Sequence, residues 1–218
     1  MGNLTPHLGI VCGMVSERHA LGRWADHPRV RVAVSGAVPG QAEAAARQMA
    51  AAGVRGLLSW GLAGGLAADL TPGTVIRPRA VILPDGTKLE FGRGMQGDMA
   101  VLGSEHVVCS PADKARLRAG TGAIAVDMES HRLAQVASAQ GLDLHVVRAI
   151  SDPAARALPA FAARALGPDG RPRIGRVLAG LVRRPGDLPA LLSAKRDSDR
   201  ALHALRAVAD DLIADLIG

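Results

Sequence analysis

The sequence predicts an α/β fold in which a mixed, largely parallel central sheet is flanked by helices and followed by a helical C-terminal region. Short apolar runs bounded by glycine, typical of buried strands, alternate with longer stretches typical of helices. Strand-then-helix units imply parallel strands that are covered on both faces. The 218 residues suffice for one well-buried core and are few for two. We therefore expect a single domain over residues 1–218.

The first 60 residues of the chain predict three strands and one helix. An alanine-rich stretch opened by Pro39 and Gly40 predicts a helix to Ala52, and Gly53 ends it because glycine is favoured just beyond a helix C-terminus. Apolar runs rich in valine or leucine predict strands at Leu8–Gly13, Val30–Ser35 and Arg55–Trp60.

The rest of the chain continues the alternation of strands and helices and then becomes mostly helical over residues 151–218. Ser110 before Pro111 predicts a helix start, since serine caps helices and proline is favoured at the first helical position. A buried strand at Leu144–Ile150 runs into Ser151 and Asp152. The remaining predicted elements are strands at Thr74–Ile76, Arg79–Leu83 and Ala123–Val126, a turn at Pro84–Thr87, a helix at Met128–Gln140 ended by Gly141, and a long final helix capped by Asp187.

The composition excludes several classes of protein. Aromatic residues make up 2% of the chain, too few for the stacking surface that binds single-stranded nucleic acid, so we expect no nucleic-acid partner. The two cysteines, Cys12 and Cys109, are too few for a disulfide framework, and we expect both to be buried spectator thiols. No apolar stretch reaches the ~20 residues that cross a bilayer, and the N-terminus has no signal-peptide pattern. We expect a cytoplasmic protein.

Positive charge is concentrated near the C-terminus. The formal net charge is +6, and seven arginines between positions 156 and 184 face a single acid, Asp169. One interpretation is a solvated surface without functional meaning, and the other is an anionic partner such as membrane head groups or nucleic acid. The seven are Arg156, Arg164, Arg171, Arg173, Arg176, Arg183 and Arg184.

Acidic side chains follow the ends of the predicted strands. Glu17 lies just after the first strand, Asp127 and Glu129 lie at a strand-to-helix junction, and Asp152 ends a buried strand. Each has a structural explanation, because glutamate favours a helix start and aspartate favours a turn before proline. Ligands of α/β folds bind beyond the carboxyl ends of strands. Together these acids suit glycosidic-bond cleavage, which needs one group to protonate the leaving group, one to hold the sugar and one to direct the nucleophile.

Other chemistries have weaker support. The glycine cluster Gly61, Gly64 and Gly65 follows a strand and could let backbone N–H groups approach a ligand, but taken alone it favours a tight turn. It matches neither the dinucleotide fingerprint nor the P-loop. The seven histidines lack metal-ligand spacing, and no G-x-S-x-G elbow is present, so we expect neither a metal nor a cofactor.

Four motifs, in this order, resemble those of the nucleoside phosphorylase/nucleosidase superfamily, with the methylthioadenosine/S-adenosylhomocysteine nucleosidases more similar than the phosphorylases. They are Gly9–Glu17, Gly61–Leu66, Val126–Ser130 and Val147–Asp152. Two further stretches, Ser151–Pro159 and Arg183–Leu192, resemble a narrower branch, the hopanoid-associated phosphorylases, also called adenosylhopane nucleosidases.

The resemblance implies a role for each site residue. Asp152 would protonate the purine at N7, Glu17 would position the attacking water, and Glu129 would hold the ribose hydroxyls with Met128 beneath the sugar. Val107 and Val108 fall where the nucleosidases place a base-stacking phenylalanine. Further binding residues expected from the same motifs are Asp127, Ala63, Gly64 and Ser151.

The resemblance also favours hydrolysis over phosphorolysis. The phosphorylases carry a phosphate-binding arginine where this chain has Glu17, and their second arginine and serine are replaced here by Ser59 and Leu62. Arg18 lies next to Glu17 in sequence, so phosphorolysis, which would give adenine and a ribose 1-phosphate product, stays an alternative. Two further alternatives are a methylthioadenosine nucleosidase and a non-catalytic module that binds nucleosides or nucleic acid.

The hopanoid branch gives the basic tail a role. Its substrate, adenosylhopane, joins a triterpenoid to the 5′ carbon of adenosine and lies in a membrane. The apolar turns of Val177–Val182, flanked by arginines, are expected to contact anionic head groups, which would make residues 151–218 a membrane-facing extension and the protein peripheral on the inner face of the membrane. Relatives are commonly oligomers, so we also expect a homodimer.

Overall fold

The computed structural model describes residues 7–38, 40–91, 99–159, 161 and 165–218. Within these residues the strands form one sheet of nine members. In chain order the strands are β1 Leu8–Cys12, β2 Val30–Val34, β3 Gly56–Gly65, β4 Val75–Ile76, β5 Ala80–Ile82, β6 Lys88–Glu90, β7 Ala100–Gly103, β8 Ala125–Asp127 and β9 Asp143–Asp152. The helices are α1 Val15–Ala20, α2 Gln41–Ala51, α3 Pro111–Thr121, α4 Ser130–Gln140, α5 Ile174–Arg183 and α6 Leu188–Ile217, and short 3₁₀ helices span Gly22–Asp26 and Pro185–Asp187.

The sheet is mixed and largely parallel. Its main path runs β2-β1-β3-β8-β7-β5-β6, and β9 pairs with β3 and with β4 off this path. Strand β1 pairs in parallel with β2 and β3, β3 with β9, and β7 with β5 and β8, whereas the β3–β8, β4–β9 and β5–β6 pairs are antiparallel. The predicted fold class is confirmed.

The two larger of three apolar clusters cover the two faces of the sheet, and the third packs around β5, β7 and β8. Successive side chains of a strand point to opposite faces, and β3 accordingly contributes Leu57 to one cluster and Leu58 to the other. The first cluster buries helix α4 through Leu133. The second buries the long helix α6 through Leu205, and it contains both tryptophans, Trp24 and Trp60. The central strands are therefore covered on both sides.

Several strands and helices begin or end at residues other than those predicted from the sequence. The glycine cluster lies inside β3, which runs on to Gly65, so its glycines belong to a strand and not to a turn. Strand β9 likewise includes Ser151 and Asp152. Helix α4 begins at Ser130 instead of Met128 because Asp127 accepts the backbone N–H of Ser130 at 2.9 Å. Strand β7 and helix α1 were not predicted, since four and six residues carry too little periodic pattern.

The C-terminal region contains the predicted helices. Helix α6 begins next to Asp187 and buries one face under the sheet. Helix α5 has no buried residue. Arg164 lies outside the described residues. Across the part of the chain that the structure describes, no helix has the length and apolar character needed to cross a membrane.

Candidate functional site

One cavity gathers the residues that the sequence singled out. It has a volume of about 220 Å³ and lies where β1, β3, β8 and β9 end. Ten predicted site residues line it: Asp152, Glu17, Glu129, Met128, Asp127, Gly64, Ala63, Ser151, Val107 and Val108. The roles proposed for them remain predictions, whereas their assembly around one space is observed.

Glu17 is a buried carboxylate on the first turn of α1. Its Oε1 accepts the backbone N–H of Leu62 at 2.7 Å, and its Oε2 accepts that of Met14 at 2.8 Å. Burial raises the pKa of Glu17, and the Arg148 guanidinium and the backbone donors partly oppose that rise. A carboxyl with a raised pKa at the cavity wall is suited to exchange protons with a water molecule.

Arg148 is the fully buried cation beneath the site. Its Nε donates to Asp127 Oδ2 at 2.5 Å and its Nη2 donates to Ser59 Oγ at 2.6 Å, while Nη2 lies 3.5 Å from Glu129 Oε2. Its Nη1 has no hydrogen-bond acceptor among the described residues. Nη1 lies next to Gly61 and Glu17, beneath the cavity wall, so its charge acts on the Glu17 carboxyl.

Asp127 is held by hydrogen bonds from the protein around it. Although the residue borders the cavity, its carboxylate accepts hydrogen bonds from Arg148, from Ser130 Oγ and from the backbone N–H groups of Glu129 and Ser130. These donors occupy both oxygens. Asp127 therefore anchors the start of α4 and balances the charge of Arg148, and its contact with a substrate stays a prediction.

Glu129 is the carboxyl that remains available to a ligand. Burial raises its pKa to about 8, an effect that Arg148 opposes and that the neighbouring Asp127 and Glu17 carboxylates reinforce. Its side chain is 17% exposed and faces the cavity. A carboxyl in either protonation state can pair with sugar hydroxyls, because it can accept and, when protonated, donate.

Glycines let these carboxyls approach the backbone. A Cβ on Gly13 would lie 2.7 Å from Glu129 Oε1, and one on Gly61 would lie 2.6 Å from Glu17 Oε1. A Cβ on Gly64 would lie 3.2 Å from Asp152 Oδ2. The glycines that the sequence suggested as a ligand cradle thus make room for the acidic side chains themselves.

Asp152 closes the opposite wall of the cavity. Its Oδ1 accepts the Ser151 hydroxyl at 2.9 Å and its Oδ2 accepts the Lys114 ammonium at 2.5 Å. Burial raises the pKa of Asp152, against the effect of Lys114. The β3–β9 register shifts by one residue at this point, so that Gly64 pairs with Asp152, and the irregularity turns the end of β9.

An open groove of about 590 Å³ adjoins the cavity and shares His106, Val107, Met128 and Glu129 with it. Val107 and Met128 are each 38% exposed and form the apolar part of this junction, whereas His106 and Glu129 form its polar part. Cys109 lines the groove and is half buried, which corrects the expectation that both thiols are buried. Cys12 is fully buried in β1, and burial raises the pKa of its thiol.

Sequence reasoning missed two cations. No role was predicted for Arg148, which lies within the motif Val147–Asp152, or for Lys114. An arginine amid the apolar residues of a buried strand was a usable signal for Arg148, because a buried charge needs a partner. Lys114 lies on a mostly polar helix, and no sequence feature marks it as buried. Over the described residues, no group of three or more His, Cys, Asp or Glu is placed to hold a metal ion.

Known proteins share this fold. The family model of the Phosphorylase superfamily matches residues 97–183. The structure of Helicobacter pylori 5′-methylthioadenosine/S-adenosylhomocysteine nucleosidase bound to a pyrrolidine ligand is 17% identical, with 97% of this chain and 99% of that chain covered at a TM-score of 0.71. Helicobacter pylori futalosine hydrolase is 16% identical, with 98% and 100% covered at a TM-score of 0.72.

A mutant of the same Helicobacter pylori nucleosidase, solved with 5′-methylthioadenosine in the active site, is also 17% identical, with 99% and 100% covered at a TM-score of 0.71. A comparison with curated protein sequences finds no match. The chain therefore has the α/β fold of the nucleoside phosphorylases and nucleosidases, and residues 97–183 match the Phosphorylase superfamily.

Proposed function

We propose that the chain is a purine nucleosidase that hydrolyses the N-glycosidic bond of a 5′-substituted adenosine and releases adenine. The observation that carries the proposal is the convergence of Asp152, Glu17 and Glu129 on one cavity from three strand ends. A solved structure of this fold holds 5′-methylthioadenosine in its active site, which supports a nucleoside of this class as substrate.

In the proposed reaction Asp152 acts on the leaving group. The C1′–N9 bond breaks, its electron pair moves into the purine, and the proton of Asp152 passes to N7. Burial raises the pKa of this carboxyl, which favours the protonated form that a general acid needs. The sugar passes through a transition state with oxocarbenium character.

Glu17 and Glu129 act on the sugar side. The oxygen of a water molecule bonds to C1′, and Glu17 accepts one of its protons. Arg148 Nη1 lies beside Glu17 across Gly61, and its charge acts on that carboxyl. Glu129 pairs with the ribose hydroxyls, and Met128 packs beneath the ring. The products are adenine and the 5′-substituted ribose.

Three features favour water over phosphate as the nucleophile. Glu17 puts a carboxyl where an anion would have to bind. Arg18 points away, donating to Asp26 at 2.6 Å, and it does not line the cavity. Ser59 Oγ is buried against Arg148 and Ser130. The alternative product, a ribose 1-phosphate, remains the second candidate because the positive charge of Arg148 lies beneath the site.

We propose adenosylhopane as the substrate, with its 5′ substituent in the adjoining groove. The cavity alone, at about 220 Å³, is below the roughly 300–1,000 Å³ of ordinary ligand pockets. The groove adds space that begins at the apolar part of the junction, formed by Val107 and Met128. A hydrocarbon substituent suits that apolar part, and methylthioadenosine, with a smaller substituent, is the alternative.

The test is adenine release from adenosylhopane in detergent and phosphate-free buffer, with methylthioadenosine assayed in parallel. Release from the lipid nucleoside alone is the expected result. Adenine release from methylthioadenosine alone would show that methylthioadenosine, and not adenosylhopane, is the substrate. Release that requires added phosphate would make the enzyme a phosphorylase, and adenine bound without turnover would make it a binding module.

Variants of the acids test the mechanism. Asp152→Asn should lower kcat by about 10²–10⁴-fold, the usual contribution of a general acid, and Glu17→Gln and Glu129→Gln should each lower it severely. Asp85→Asn, in the exposed turn before β6, removes the same charge and should leave the rate unchanged. A wild-type rate in a site variant would remove that residue from the mechanism.

We also propose that helix α5 contacts an anionic membrane. Its Ile174, Leu178 and Val182 recur every fourth residue and are 70%, 57% and 83% exposed, so they form an uncovered apolar stripe. Arginines at 173, 176, 183 and 184 flank the stripe. An apolar face flanked by cations is typical of helices that lie in the membrane interface.

Vesicle flotation tests this contact. The protein should float with anionic vesicles and remain behind with neutral ones, and Arg183→Gln with Arg184→Gln should reduce flotation. The pair Arg116→Gln and Arg118→Gln on α3 removes equal charge and should have no effect. Equal recovery of all variants in the soluble fraction would reject the membrane contact.

Finally, we propose a homodimer, on the basis of the sequence resemblance. Light scattering coupled to gel filtration should give twice the 22.4 kDa mass of the chain. A monomer mass at working concentration would reject it.

A further inference from the structure

Lys114 is a fully buried lysine whose ammonium contacts the carboxylate of Asp152. Its neighbours on α3 are exposed or half buried, and Lys114 is the buried residue of that helix. Its Nζ donates to Asp152 Oδ2 at 2.5 Å, to the Pro153 carbonyl at 2.9 Å and to the Arg156 carbonyl at 3.3 Å. These three acceptors match the three N–H bonds of an ammonium.

Lys114 lies behind Asp152 as seen from the cavity. Asp152 lines the cavity, whereas Lys114 does not. Full burial of a lysine is rare and is tolerated when the charge is paired. The partner here is the acid that the proposed reaction uses to protonate the base, so the pairing acts on the reacting group and not on a remote surface carboxylate.

The two oxygens of Asp152 have different surroundings. Oδ2 is bound to the ammonium, and among the residues that the structure describes Oδ1 accepts the Ser151 hydroxyl alone. The other charged group acting on Asp152 is Arg156, whose Nη1 lies 2.5 Å from Asp197 Oδ2 on α6. Lys114 is therefore the cation in direct contact with the carboxyl.

We propose that Lys114 is a positioning residue for Asp152, fixing the carboxyl through one oxygen so that the other faces the departing base. This inference rests on the proposed nucleosidase function. When Asp152 gives its proton to N7, the carboxylate that forms is stabilised by the ammonium at its back. Solvent returns the proton after the base leaves, so the lysine remains an ammonium throughout.

Lys114→Met tests the inference. The variant should lower kcat for adenine release by about 10–100-fold with little change in KM. The alkaline limb of its kcat/KM profile should move upward by about one pH unit, because a carboxyl without the adjacent cation keeps its proton to higher pH. Lys114→Arg keeps the cation and should keep the position of that limb. Lys88→Met, on the exposed strand β6, is the matched control and should change nothing.

Two further measurements separate this role from a structural one. A riboside with a 4-nitrophenolate leaving group needs no protonation, so Lys114→Met should cleave it at the wild-type rate. Equal losses on both substrates with an unshifted pH profile would overturn the inference.

The carboxyl ¹³C resonance of Asp152 gives a readout independent of activity. Its titration should move upward in Lys114→Met, and an unchanged titration would also overturn the inference. If the wild type releases no base from any nucleoside, the proposed function fails, and this titration still decides whether Lys114 controls Asp152.

Discussion

Arg148 shares its charge among three carboxyl groups. It contacts Asp127 and Glu129 directly and acts on Glu17 across Gly61. One guanidinium cannot neutralise three buried carboxylates, so the carboxyls that are less tightly paired with it hold their protons more strongly. At 3.5 Å, Glu129 is less tightly paired than Asp127 at 2.5 Å, and its pKa is accordingly raised to about 8 by burial and by its acidic neighbours.

Removing that carboxyl should stabilise the protein in alkaline solution. The folded state holds the Glu129 proton more tightly than the unfolded chain, whose glutamate pKa is 4.5. The resulting stability is present below pH 4.5 and is lost as the pH rises through about 8. Compared with Glu129→Gln, the wild type should therefore lose a few kcal/mol, roughly 5–10 °C in Tm, between pH 5 and pH 9.

Thermal unfolding of both proteins across that pH range checks the prediction. Glu90→Gln, on the exposed strand β6, removes the same charge from the surface and should show no such divergence from the wild type. Parallel Tm curves for the wild type and Glu129→Gln would show that Glu129 does not carry the retained proton.

At the scale of the element, β3 supplies the backbone against which the acids pack. An added Cβ on Gly61 would meet Glu17 Oε1 at 2.6 Å and Arg148 Nη1 at 2.8 Å. If the Glu17 side chain moved away from the added Cβ, its hydrogen bond with the backbone N–H of Leu62 would break. Gly61→Ala should cost about 1–3 kcal/mol of stability through overpacking and should lower the nucleosidase rate at least as strongly as a loss of Glu17.

Gly120→Ala is the matched control for Gly61→Ala. An added Cβ there meets nothing within 4 Å, and the residue lies in helix α3. This substitution should stabilise the protein by about 0.5–1 kcal/mol, because glycine is a poor helix former. Urea denaturation of both variants measures the two effects, and equal stability changes would show that the crowding at Gly61 is relieved by movement of its neighbours.

The sequence predicted the meeting of the acids because parallel strands end at one edge of a sheet. Glu17 and Asp152 could be placed there from the apolar runs before them, since β1 and β9 both run parallel to β3. The distinction between Glu129 and Asp127 could not be made, because it depends on which carboxylate reaches Arg148 and the N-terminus of α4. Adjacent positions in sequence carry no such information.

Lys114 and the register shift of β9 were also beyond sequence reasoning. Burial of a lysine on a polar helix is decided by how α3 packs against the end of β9, a contact between residues 38 apart. The shift at Gly64 adds one residue to a strand, and a pattern of period two does not show where such an addition falls.

At the scale of the whole molecule, one sheet separates two apolar clusters. Leu133 of α4 and Leu205 of α6 are fully buried, one in each cluster. Truncating either to alanine should cost about 2–5 kcal/mol. The double variant should lose the sum within about 0.5 kcal/mol, because the two sites share no contact across the sheet.

The tryptophans make the cooperativity of the sheet measurable. Both lie in the second apolar cluster, which buries α6, so their fluorescence reports on that face of the sheet. Far-ultraviolet circular dichroism reports on all helices and strands. Coincident urea transitions in the wild type and in both leucine variants are expected for one cooperative unit. Separate transitions would mean that the two faces unfold independently.

The two thiols give this chain a pair of built-in chemical reporters. Cys109 lies half buried on the groove wall, and Cys12 is fully buried in β1. A thiol-specific alkylating reagent should therefore modify Cys109 in the native protein, more slowly when a ligand occupies the groove. It should reach Cys12 only when the strand itself opens, so the two labelling rates, resolved by mass spectrometry, follow occupancy and unfolding separately in a single sample.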